Sequence, residues 1–232
     1  HEELVKLAEN IKFDYVGMST RKIWTPKSVK TEKRPLGILA ISDRAKQALV
    51  QLALEPEWEA KFEPNSYGFR PGRSCMDAIE GIKATIKQKS KYVLDAEIAK
   101  CFDRINHQKL IQKVNTFPKM KRQIKSWLQS GVVDGKSVFT TEVSTPQGGV
   151  VSPLLANIAL HGMEEVVKKY ARSLPGKKEN NEKQISLIRY ADNFVILHPE
   201  IEAIHDCLVL IKQFLDNIGL ELKDEKTHIT HT

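Results

Sequence analysis

Two acidic residues stand where carboxylates could manage phosphoryl chemistry. Glu97 lies near the end of the alternating run Tyr92-Val-Leu-Asp-Ala-Glu-Ile98, and Asp192 lies between two apolar runs with Asn193 beside it. Carboxylates presented from neighbouring strands hold divalent metals, which activate a hydroxyl and stabilise an in-line displacement at phosphorus. A site of few protein oxygens suits Mg²⁺. In a strand, side chains repeat every two residues, so Asp95 shares a face with Glu97 and is a second candidate acid.

Those acids need elements to hold them. Ile185–Tyr190 and Phe194–His198 read as two strands of a tight hairpin, with Ala191, Asp192 and Asn193 at its tip. Ser42–Glu59 carries Ala45, Ala48, Leu49 and Leu52 at helical spacing and reads as a buried helix. Asn65–Arg73 is rich in Gly, Pro and Arg and reads as a loop; Ser74 with Asp77 three residues on starts a helix as a capping box. Helices are expected at about 107–116 and 121–130, a strand at Val138–Val143, and one helix over Ser152–Ala171. The Pro-Gly-Lys-Lys-Glu-Asn-Asn run from Pro175 reads as an exposed loop. A helix over Ile201–Ile218 stops at Gly219, and a last strand follows within Leu220–His231. This order is α+β, with helices covering one face of an antiparallel sheet.

Composition narrows the setting. The chain has 232 residues, 41% hydrophobic and 28% charged, which describes a globular protein rather than a disordered one. Its longest apolar stretch, Val150–Leu160, is broken by Ser152, Pro153 and Asn157, too short to cross a bilayer. Three scattered cysteines without a CxxC pair argue against a disulfide framework and a thiolate zinc site. No secretory signal opens the chain, and it reads as a fragment of an intracellular protein. A net charge of +7 makes a polyanion the first partner to test. The charge is also uneven: eight basic residues face Glu32 and Asp43 between Arg21 and Lys46. Further basic groups occur at Lys119, Lys121, Arg122 and Lys125, and from Lys168 to Lys183. Three such groups favour phosphate contact.

Six blocks, in order, resemble the reverse transcriptase of bacterial group II introns, the maturase-type proteins. They are Arg34-Pro-Leu-Gly-Ile38, Asn65-Ser-Tyr-Gly-Phe-Arg-Pro-Gly-Arg-Ser74, Glu97-Ile-Ala-Lys-Cys-Phe-Asp103, the Thr145–Asn157 stretch beginning Thr-Pro-Gln-Gly-Gly, Arg189-Tyr-Ala-Asp-Asn-Phe194, and Gly219-Leu-Glu-Leu-Lys-Asp-Glu-Lys-Thr227. The resemblance implies a polymerase palm with a fingers subdomain. Residues 1–90 would be fingers-type and 91–232 mainly palm with interleaved helices, the thumb and later domains lying beyond Thr232. It implies RNA-directed DNA synthesis in retrohoming, intron RNA binding and splicing assistance. The partners would be group II intron RNA, target DNA or a primer–template duplex, and deoxynucleoside triphosphates, in the bacterial cytoplasm.

By the same resemblance Glu97, Asp192 and Asn193 form the catalytic set, with Glu97 and Asp192 binding a pair of Mg²⁺ ions. Lys27 and Arg34 would grip the triphosphate, Phe102 would check the incoming sugar for a 2′-hydroxyl, and Gln147 would contact the nucleotide sugar. Tyr67, Arg70 and Arg73 belong to the template-side block, and Gly148 and Gly149 would permit close approach to nucleic acid. Two positions depart from the family, which has aspartate where this chain has Glu97 and Asn193. The alternative is a weakened or inactive maturase that acts as an RNA-binding scaffold.

Overall fold

The computed structural model describes residues 2, 5, 6, 9, 11–26, 33–87, 89–130, 132–134, 137–139 and 148–232. In chain order its elements are β1 (Thr20–Pro26), β2 (Lys33–Ile38), α1 (Ile41–Glu59), α2 (Cys75–Ile86), β3 (Tyr92–Ala99) and α3 (Cys101–Arg104). There follow α4 (His107–Val114), α5 (Pro118–Gln129), β4 (Val132–Asp134), β5 (Ser137–Phe139), α6 (Ser152–Leu160) and α7 (Met163–Ser173). The last are α8 (Lys178–Gln184), β6 (Ser186–Tyr190), β7 (Asn193–His198), α9 (Ile201–Asn217), β8 (Glu221–Leu222) and β9 (His228–His231). The chain forms two compact units, His1–Trp58 with Phe102–Ala159, and Glu59–Cys101 with Leu160–Thr232.

The first unit holds a four-stranded sheet in the order β2-β1-β4-β5, with β1 and β4 parallel and the other pairs antiparallel. Its helices pack through a buried polar link. Asp43 of α1 is fully buried and accepts the Met18 amide at 2.8 Å and the Trp127 indole N–H of α5 at 3.2 Å. A buried carboxylate is tolerated because its lone pairs are occupied.

The second unit is an antiparallel sheet in the order β6-β7-β3-β8, with β9 also paired to β3. Strand alternation places Leu94, Ala96 and Ile98 on one face and Val93, Asp95 and Glu97 on the other. The first face is buried, and α9 packs against β3 and β7 while burying Ile204, Cys207, Ile211 and Leu215. The second face is half covered. Ala78, Ile82 and Ile86 of α2 pack with Val93, Ile188, Val195 and Leu197, and the Glu97 end of that face is left uncovered by this cluster. The capping box is present at α2, where Ser74 and Asp77 satisfy each other's backbone amides.

Several expectations need correction. The helix expected over Ser152–Ala171 is two helices, because Gly162 takes φ 101°, which no helix continues through. The run expected as a loop after Pro175 contains α8; its Glu182 and the Arg172 guanidinium of α7 form an ion pair that holds it. The last strand is interrupted by a 3₁₀ turn at Asp224–Lys226, leaving β8 and β9 as separate pieces. Helix α1 buries Asp43, Lys46, Gln47, Val50, Leu54 and Trp58, and leaves exposed the Leu49 and Leu52 that mark it as apolar. Strands β1 and β2 carry no clear alternation in the sequence, because charged residues and prolines interrupt it. Of the strand expected at Val138–Val143, residues 140–143 lie outside the described residues.

Candidate active site

Register brings the acids together. Glu97 of β3 pairs with Asn193 of β7, and Asn193 pairs with Tyr190 of β6, so the three side chains form a row across the uncovered end of the second unit's sheet. The Ile98 amide donates to the Asp192 carbonyl at 2.9 Å, which locks the hairpin tip to the strand that carries Glu97. The Asn193 amide group donates to the Asp192 carboxylate at 3.3 Å. Asp95 lies on the same face one row away, opposite Val195 and His228.

Two lysines complete the cluster. Lys226 Nζ lies 2.9 Å from one Glu97 carboxylate oxygen and Lys223 Nζ 3.6 Å from the other. The Lys223 amide also donates to the Glu97 carbonyl at 2.8 Å, which ties the segment after β8 to β3. The hydrogen bond from Lys226 holds the Glu97 carboxyl below the ordinary glutamate value; partial burial opposes this and Lys223 adds to it. The Lys226 ammonium is raised in turn, mainly by Glu97. Glu225 lies 3.7 Å from Lys223, so three carboxylates and two ammoniums meet here.

The hairpin tip rests on a buried cation. Arg189 sits on the opposite face of β6 from Tyr190, 1% exposed, and donates to the Ala191 carbonyl at 3.0 Å and the Ser66 hydroxyl at 2.6 Å. Burial pushes its guanidinium down to about 10, against the attraction of Glu63, so it stays charged at neutral pH. Residues Asn65–Gly68 run beside β6 as an added edge. The Arg189 amide donates to Asn65 and the Tyr67 amide to Arg189, both at 2.9 Å. At Gly68 a Cβ would come within 2.3 Å of the Ala191 nitrogen, so only glycine allows this approach. Ala191 itself takes φ 56°, a left-handed conformation that a non-glycine residue holds only when its surroundings enforce it.

The other expected residues fall in varied places. Tyr67 packs into the α2–β6–β7 cluster, and the Arg73 guanidinium lies 5.3 Å over its ring while donating to the Pro64 carbonyl. Arg70 turns inward: it grips Glu59 at 2.7–3.0 Å and donates to the Glu63 and Ser66 carbonyls. Phe102 lies half-buried in α3, in the first unit. Gly148 takes φ 111°, and its missing side chain makes room for the Gly37 carbonyl of β2; Gly149 is buried and accepts the Ser152 amide. Arg34 pairs with Thr25 in the β1–β2 ladder. Lys27 and Gln147 lie outside the described residues. Ser66, Gly68, Arg189, Lys223 and Lys226 all stand inside blocks visible in the sequence, but nothing local marks them as partners of the acids.

A family model for the reverse transcriptase (RNA-dependent DNA polymerase) matches residues 25–232. The chain belongs to the reverse transcriptase family. Among curated proteins it is 30% identical over 290 aligned residues to the group II intron-encoded protein LtrA of Lactococcus lactis subsp. cremoris, covering all of this chain and 48% of that protein. It is 29% identical over 249 residues to Protein YkfC of Escherichia coli K12, covering 94% of this chain and 64% of that protein. The chain thus spans about half the length of LtrA. Apo telomerase from Candida tropicalis, truncated from its C-terminal domain, shares the fold with a TM-score of 0.71 at 14% identity, over all of this chain and 56% of that one. By family, then, this is an RNA-dependent DNA polymerase domain on an α+β polymerase fold, with group II intron-encoded proteins among its relatives.

The family's chemistry uses divalent metal, and the residues can be tested for it. Among the described residues no group of three or more acidic, histidine or cysteine side chains is arranged to hold an ion. Glu97 and Asp192 supply hard oxygens from adjoining elements, which suits one Mg²⁺-like cation if Lys226 and Lys223 release Glu97. At the position beside Asp192, asparagine supplies a neutral oxygen in place of a charged one. No helix of the described structure is long and apolar enough to cross a membrane.

Proposed function

We propose that this chain is the fingers–palm portion of a group II intron-encoded reverse transcriptase and maturase, with the second compact unit as palm. The observation that carries this reading is the convergence of Glu97 with the Asp192–Asn193 tip, joined by the Ile98-to-Asp192 backbone bond. Its substrates would be a primer on an RNA template and deoxynucleoside triphosphates. Its partners would be group II intron RNA and target DNA, in a bacterial cytoplasm. Lys27, Arg34, Phe102 and Gln147 would meet the nucleotide, and Tyr67, Arg70, Arg73, Gly148 and Gly149 would shape the template side. For Arg70 and Gly149, which are buried, that contribution is structural support.

Mg²⁺, when bound by Glu97 and Asp192, would activate the primer hydroxyl and stabilise charge on the phosphate being transferred. Glu97 and Asp192 would orient that charge, and Lys226 would leave Glu97 before they could do so. The second reading, an RNA-binding splicing scaffold with little polymerase activity, is favoured by the lysine pairing of Glu97 and by Asn193.

The experiment is RNA-templated primer extension by the longer protein that carries this chain, beside its intron-splicing rate. Incorporation that is lost in Asp192→Asn while splicing persists supports the polymerase. Splicing assistance with no incorporation sinks it and leaves the scaffold.

A further inference from the structure

The carboxylate of Glu63 stands between a helix end and the cation beneath the hairpin tip. Its side chain is 11% exposed. One carboxylate oxygen accepts the Gly162 and Glu164 amides at 2.9 Å and the Glu165 amide at 3.3 Å, so it caps α7 from a distant part of the chain. Unpaired amides at a helix N-terminus favour a negative charge there. Glu63 and Arg189 attract each other as opposite charges. Ser66 links them, its amide donating to the Glu63 carbonyl at 3.2 Å while its hydroxyl accepts from the Arg189 guanidinium.

What Arg189 holds is the residue before Asp192. Ala191 keeps its left-handed φ of 56° with its carbonyl on that guanidinium. A buried cation deprived of its counter-charge is costly, and relief comes from moving toward water. Such a move frees Ala191 to relax, and Asp192 shifts with it. The charged groups around Glu63 divide in their effect. Arg189 of β6 attracts it, while Glu164 of α7 repels it, although Lys168 and Asn65 occupy one Glu164 oxygen. Arg70 donates to the Glu63 carbonyl but spends its charge on Glu59, and His161 Nδ1 lies 3.8 Å from the second Glu63 oxygen. Burial outweighs these and raises the Glu63 carboxyl above the ordinary glutamate value. Glu63 therefore takes up a proton in milder acid than a surface glutamate does.

We propose that Glu63 is a positioning residue for the tip that carries Asp192: ionised, it holds Arg189 under Ala191, and protonated, it lets Asp192 move. For its effect on rate this role rests on the polymerase reading above; for its effect on the tip it does not.

The test follows two signals in the longer protein between about pH 8 and about pH 5.5, the range over which a raised glutamate titrates. One is hydrogen exchange at the Ile98 amide, which donates to the Asp192 carbonyl, and the other is RNA-templated nucleotide incorporation. Corrected for the intrinsic pH dependence of exchange, Ile98 protection and kcat should fall together by about tenfold, in keeping with a small misplacement of Asp192. Glu63→Gln keeps an acceptor for the α7 amides and loses the charge. It should show the low values at every pH, with the nucleotide KM and the protection of α7 unchanged. His198 titrates in both proteins, so the difference between their curves reports Glu63. Equal curves for the two proteins overturn the proposal, as does a Glu63→Gln loss of protection spread evenly over the second unit. A protein that incorporates nothing at any pH sinks the polymerase reading, and the Ile98 curves then decide the role of Glu63 alone.

Discussion

A glutamate at position 97 reaches one methylene further than an aspartate, and an asparagine at 193 keeps the shape of an aspartate without its charge. Displacing a catalytic group by about an ångström costs about a hundredfold in rate. In this chain the extra reach delivers the Glu97 carboxylate to Lys226. Glu97→Asp with Asn193→Asp in the longer protein should therefore raise primer extension about tenfold or more, a change of about 1.4 kcal/mol in the barrier. Splicing assistance should be nearly unchanged, because the acids do not contribute to basic RNA-binding surface. Parallel incorporation and splicing assays check both halves, and a matching change in splicing would show that the acids act on RNA instead.

At the level of elements, the hairpin tip is only as well placed as its support. Arg189→Met would leave the Ser66 hydroxyl and the Ala191 carbonyl without their donor and Glu63 without its nearby cation. Breaking such a buried charged network costs about 3 kcal/mol, to be read as a lowered urea midpoint with unchanged slope. Gly68→Ala should act on the same tip through the clash with Ala191, and the two losses should be less than additive because they share one support. The joint between β7 and α9 carries a pH dependence. His198 is buried, its Nδ1 accepts the Glu200 amide, and burial lowers its pKa below the ordinary histidine value. The unfolded chain thus takes up a proton that the folded chain refuses. Stability from this group is full above the ordinary value and is lost as pH falls through the lowered one. His198→Asn keeps an acceptor and should flatten that acid limb in denaturant titrations from neutral to mildly acidic pH.

Across the whole molecule, basic residues divide into those spent on protein and those left facing outward. Lys168 pairs with Glu164, and Arg172 with Glu165 and Glu182, so these two cations of the third basic group are spent within the chain. Lys119, Arg122 and Lys125 instead recur every three residues on α5 and are exposed, with Arg122 stacked 4.6 Å over Tyr15. Under the proposed function this stripe is the better candidate for RNA phosphate. Replacing its three cations by glutamine should weaken RNA binding about equally for all sequences and reduce the salt slope by roughly 2 to 3, since each lost phosphate contact removes about one unit. The same exchange at Lys168 and Arg172 should leave the slope almost unchanged. Filter binding across a salt series decides between the two surfaces.

Local chemistry was legible in the sequence because it depends on near neighbours. Alternation between Tyr92 and Ile98 marked β3, Ser74 and Asp77 marked the start of α2, and the three residues between two apolar runs marked the hairpin that bears Asp192. The family blocks then told which acids to compare. What only tertiary structure decided involves residues far apart along the chain. Lys226 stands 129 residues from the Glu97 it pairs with, and Gly68 stands 123 residues from the Ala191 it makes room for. Spacing cannot reveal such meetings, because they exist only once the strands have taken their register. Burial follows the same rule: the apolar period of α1 announced a helix, but the face that turned inward carries Asp43, held by Met18 and Trp127, beside Val50, Leu54 and Trp58.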